Sequence, residues 1–212
     1  INKTSLSLLV LMLTAFYTWN NMSPGLMLVG AIGGFIVAMI TIFKKHLAVY
    51  TTLIYSGLEG LFLGGISRFY QIHYGDEIVG QAIFLTFSIF ATLLFAYKSR
   101  IIKPTENFKL GVFAATAGIA LLYFISIIMS FFGSGIPLMN PSNASMFSIG
   151  FSIFVVVIAS LNLVLDFDFI EEGAEKGAPK YMEWYGAFGL IITLVWLYLE
   201  ILRLLAKLQS KK

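Results

Sequence analysis

The chain has 212 residues, 58% of them apolar and 12% charged, with a formal net charge of +3 and no cysteine. A soluble domain is nearer about half apolar and a quarter charged, so the composition points to an integral membrane protein built as one domain over residues 1–212. The same composition excludes disulfides, thiolate metal sites and cysteine nucleophiles, and the small positive charge, confined to connecting segments, argues against a nucleic-acid partner.

Seven apolar runs follow in order. The first, about Ser5–Trp19, is short and closes at Asn20, Asn21 and Pro24. The second, about Gly25–Phe43, is rich in small residues that permit close helix packing, and it stops at Lys44-Lys45-His46. The third, about Leu47–Tyr70, carries Glu59 near its middle. The fourth covers about Ile78–Tyr97 and is followed by the basic connection Lys98–Lys109. The fifth, about Leu110–Phe132, leads into an uncharged loop, Gly133–Ser145. The sixth is about Met146–Ile170, and the seventh is about Tyr181–Leu205 with a basic tail behind it.

A run of about 20 residues spans the roughly 30 Å of hydrocarbon in a bilayer. The runs lack the alternation of a barrel strand, so they are expected to be helices. The fold class is an all-α membrane protein, a seven-transmembrane-helix bundle with the last helix packed against the sixth. Most loop lysines and arginines fall on the side of the first residues, which predicts a cytoplasmic N-terminus.

Carboxylates inside such helices are costly, and by default they mark function. Asp166 continues a stripe of Ser148, Ser152, Val155, Ala159 and Asn162 at helical spacing, small and polar as a water-filled interior requires. Asp168 points away from that stripe, above Leu161, Val164 and Leu165. Glu183 and Glu200 share a face of the last helix but stand about 25 Å apart along it. Counted from the loop between the last two helices, Glu183 reaches a depth similar to that of Asp166, and Glu200 does not. Glu200 is expected to form an interfacial ion pair with Arg203 or Lys207. Glu59, buried mid-span, must be protonated, hydrogen-bonded or facing water.

No enzyme reading gathers its residues. The two histidines, His46 and His73, fall in loops, no mid-helix lysine or Gly-rich aspartyl motif is present, and no phosphate loop appears. No catalytic centre and no cofactor are expected.

The run LDFDFIEEGAEKG, Leu165 to Gly177, resembles the Bax inhibitor family of membrane proteins, which has bacterial members. YSGLEGLFLGG, Tyr55 to Gly65, resembles that family's small-residue helix. The resemblance implies a pair of acids on the sixth and seventh helices that share a proton, a pH-sensitive calcium leak, and a place in a bacterial plasma membrane. Asp166 takes the place of the sixth-helix acid. The seventh-helix place falls on Ile191 without a gap, and isoleucine cannot hold a proton. By depth the role passes to Glu183. Glu200, ending the string LYLE, is the other candidate.

The expectation is a passive cation leak gated by Asp166 and Glu183, with Glu59 and Asn162 along the pathway and Asp168 and Glu200 as secondary candidates. Calcium takes oxygen ligands, and Asp166 and Glu183 would supply them in passing. The partners are then the bilayer, calcium and protons. The alternative is a non-transporting regulator that binds another membrane protein such as a protease.

Overall fold

The computed structural model describes residues 2–133 and 135–211. Among these, seven α-helices follow in order and no strand occurs: α1 (Asn2–Asn20), α2 (Pro24–Phe43), α3 (Ala48–Tyr74), α4 (Ile78–Lys98), α5 (Glu106–Phe131), α6 (Met146–Glu175) and α7 (Tyr181–Gln209). Short 3-10 turns cover Lys45–Leu47 and Pro137–Met139. Six of the helices, α2 to α7, are long and apolar enough to cross a membrane. At about 1.5 Å per residue each reaches ~30 Å or more. α1 is not among those six. Ser5, Ser7, Thr14 and Thr18 interrupt its apolar character, and the Thr14 and Thr18 hydroxyls turn back onto carbonyls of their own helix.

Several helices run further than the apolar runs suggest. α6 continues through Glu171, Glu172 and Glu175, so these acids form a helical end and not a loop. The connection to α7 is correspondingly short and turns at Gly177, whose φ of 64° lies in the left-handed region that glycine tolerates best. The start of the basic tail is likewise helical: Arg203 and Lys207 belong to α7, which ends at Gln209. α5 begins early, at Glu106, because the Thr105 hydroxyl accepts from Phe108 N (3.3 Å) and caps it.

The described residues fall into two compact units, one within Ile1–His73 and Asp168–Ile192, the other within Tyr74–Phe167 and Thr193–Lys212. The boundaries fall inside α6 and α7, which contribute to both.

In the first unit α3 presents a glycine face. A Cβ at Gly60 would lie 2.3 Å from Leu11 O, and one at Gly64 would lie 2.1 Å from Ala15 O. The two glycines are one turn apart, and their missing side chains let the α1 and α3 backbones touch. Replacing Gly64 by alanine should therefore force α1 off α3, at a cost of about 1–3 kcal/mol for overpacking. Thermal unfolding in detergent checks this against Gly80→Ala, where nothing stands within 4 Å of the added carbon. Equal melting of the two variants would show that the contact carries no weight.

The second unit is centred on Ile119 of α5 with Val155 and Ile158 of α6, and Tyr123, Phe151 and Trp196 pack against them. Phe167 closes one side edge-on to Phe90, with ring centroids 5.7 Å apart. Outward faces carry large apolar side chains such as Phe84, Phe95, Phe113 and Phe124, as lipid contact requires.

Candidate functional site

The α6 stripe is enclosed as its spacing predicts. Ser148, Ser152, Val155 and Ala159 are all buried. One turn further, Asn162 is half-buried and its Nδ2 donates to Thr116 Oγ1 of α5 and to Ile158 O, both at 2.8 Å. The next residue on the face is Asp166. The Thr193 hydroxyl of α7 donates to its carboxyl. Its Oδ2 is buried and has no hydrogen-bond partner among the described residues. A carboxylate has about four lone-pair sites to fill, so this enclosed oxygen holds acceptor capacity that the protein leaves unused.

Thr193 stands where Glu183 was expected. Asp166 lies more than two turns inside α6, because the helix continues to Glu175, whereas Glu183 sits in the first turn of α7. The loop taken as centred near Glu175 is in fact the last turn of α6, so the count that set the two acids at one depth started inside a helix. Glu183 is instead exposed, and its carboxylate pairs with Lys3 of α1. The shared proton and joint calcium site expected of Asp166 and Glu183 would require Glu183 to leave its ion pair with Lys3. The carboxylate of Glu183 is already matched by an ammonium, and the face opposite Asp166 offers a hydroxyl. Among the described residues no three His, Cys, Asp or Glu side chains gather to hold a metal ion.

Glu59 belongs to the first unit. It is half-buried on α3, accepts from the Tyr55 hydroxyl, and has its Oε2 against the bare Cα of Gly34 on α2. It is thus one of the hydrogen-bonded cases open to a mid-span glutamate. Asp168 is half-buried and is not without a partner.

Glu200 is the most enclosed acid, 1% exposed. The expected ion pair with Arg203 is present: Arg203 Nη1 lies 2.9 Å from Oε1 and 2.8 Å from Oε2. Glu200 is buried in this pair and Arg203 half-buried. Trp196 Nε1 donates to Oε1 at 3.2 Å, and the Tyr123 hydroxyl donates to it at 2.5 Å. Tyr123 also accepts from Arg203 at 2.7 Å, with the guanidinium 5.3 Å from its ring centre. Every strong acceptor of Glu200 is used, in contrast to Asp166.

Lys207, one turn beyond Arg203, is completely buried. Sequence reasoning placed it in a basic tail. The Glu200, Arg203, Lys207 spacing by threes and fours was the available signal that these charges share one helix face. Nothing in the local sequence shows that Tyr123 and Leu138, far along the chain, enclose that face.

A family model described as Bax inhibitor 1 like matches residues 1–210 of the chain. None of the curated proteins compared with it matches.

Proposed function

This chain belongs to the Bax inhibitor 1 like family, and from that premise we propose that it is a passive, pH-sensitive leak for cations, calcium foremost, through a seven-helix membrane bundle. The observation that carries the reading is Asp166, a carboxyl on a buried polar stripe with one hydroxyl donor and one oxygen left unbonded. A neutral carboxyl is tolerated there. A charged one is not, unless water or a cation fills its empty acceptor positions. Proton loss from Asp166 would thus draw a cation into the stripe, and proton gain would release it and let the stripe close. The side chain of Asn162 supplies a further oxygen one turn along the same face.

In this reading α1 is the seventh span, the N-terminus and the lysine-rich loops lie in the cytoplasm, and the membrane is the bacterial plasma membrane. The chain then has no catalytic centre and needs no cofactor.

The test is calcium efflux from proteoliposomes holding the purified chain, measured across pH. The leak should grow as pH rises and should need no energy source. Vesicles that keep their calcium gradient at every pH would refute the leak and leave the partner-binding regulator.

A further inference from the structure

The ammonium of Lys207 lies where the α6 stripe ends. Its Nζ donates to Leu138 O at 2.6 Å, to Ser152 Oγ at 2.8 Å and to Ser148 O at 3.3 Å. The side chain has no exposure to solvent, and all three partners are neutral oxygens. A buried ammonium normally has a carboxylate beside it, because removal from water is otherwise uncompensated. Here Glu200 is engaged by Arg203, Tyr123 and Trp196. The three oxygens converge from the 3-10 turn Pro137–Met139 and from two successive turns of α6, at distances that suit a small monovalent cation.

We propose that Leu138 O, Ser148 O and Ser152 Oγ form a monovalent-cation site that Lys207 fills with its own ammonium, so that this end of the stripe is closed to free cations by a tethered one. The site is distinct from Asp166, which stands at the other end of the same face. Its ligands carry no formal charge, which favours a singly charged ion of ammonium or potassium size over calcium, whose sites rely on carboxylates. Its effect on flux rests on the leak reading. Its occupancy by a cation does not.

The experiment uses the full chain with Lys207→Ala, which leaves the three oxygens and a cavity of side-chain length. In detergent, the melting temperature of this variant should rise saturably with millimolar ethylammonium chloride, while the wild type shows no such rise. Sodium chloride at equal strength controls for ionic strength. In proteoliposomes the variant should leak at least about tenfold faster than wild type, since a unit charge a few ångströms from an entering cation sets a barrier of more than one decade. Ethylammonium should restore the block. If Lys207→Ala does not fold, Ser152→Ala keeps the lysine and removes one ligand. Its melting temperature should fall below that of Ser160→Ala, a half-buried α6 serine that bonds only its own helix.

A Lys207→Ala protein whose melting is indifferent to ethylammonium overturns the site, as does a Ser152→Ala variant as stable as Ser160→Ala. Ethylammonium stabilisation in a chain that never leaks would uphold the site and refute the leak, so the two failures are distinguishable.

Discussion

Arg203→Met should lower the stability of this protein by about 3–5 kcal/mol, the penalty of leaving one member of a buried ion pair behind. The Glu200 side chain is 2% exposed and that of Arg203 is 23% exposed, so water cannot replace the missing guanidinium at both carboxylate oxygens. Tyr123 and Trp196 would remain as donors to Oε1 and soften the loss, but Oε2 would keep none of the bonds described for it. Glu200→Gln alone should also destabilise, since it sets an amide against the guanidinium. The double variant Glu200→Gln with Arg203→Met should recover much of either single loss, because neither charge is then stranded. Equilibrium unfolding of the four proteins in one detergent measures the coupling. Additive single effects would show that the pair does not act as a unit.

The second large effect belongs to Asp166. Asp166→Asn keeps the shape of the side chain and its acceptor for Thr193 but can never become negative. The calcium leak of this variant should lose its rise with pH and, at the alkaline end, fall about tenfold or more below wild type, as removal of a full charge from an enclosed pathway implies. Glu183→Gln should keep the wild-type profile, since that carboxylate is exposed and held by Lys3. The opposite pattern, a flat profile for Glu183→Gln and a normal one for Asp166→Asn, would move the pH-sensing group to the membrane surface.

The Asp166 stripe was legible because helical periodicity is local: Ser148, Ser152, Val155 and Ala159 announce one face whatever surrounds it, and that face is buried. The partner of Asp166 was not legible. It depends on the register between α6 and α7, and that register depends on where each helix ends. Glu171, Glu172 and Glu175 read as loop by polarity, yet nothing in their backbone chemistry stops a helix leaving the apolar region, and α6 carries on through them. The ending moved by more than a turn, so Thr193 and not Glu183 came to face Asp166. The enclosure of Glu200 and Lys207 was not legible for a different reason. The spacing pairs Glu200 with Arg203, as seen, but the burial comes from Tyr123 and from the turn at Leu138, which local patterns do not connect to them. The family resemblance, by contrast, rested on short strings within α3 and α6, and the match over residues 1–210 upholds it.

The glycine face of α3 bears on how the chain is made. α1 leaves the ribosome before the surface it docks on exists, and it is not among the six helices long and apolar enough to cross a membrane. The backbone it must touch, at Gly60 and Gly64, is synthesised some forty to fifty residues later. Until α3 emerges, the α1 backbone at Leu11 and Ala15 has only water, headgroups or the insertion machinery against it. Its final seat is therefore decided after translation of the third helix, and a defect at either glycine would surface first as a nascent chain with α1 left undocked.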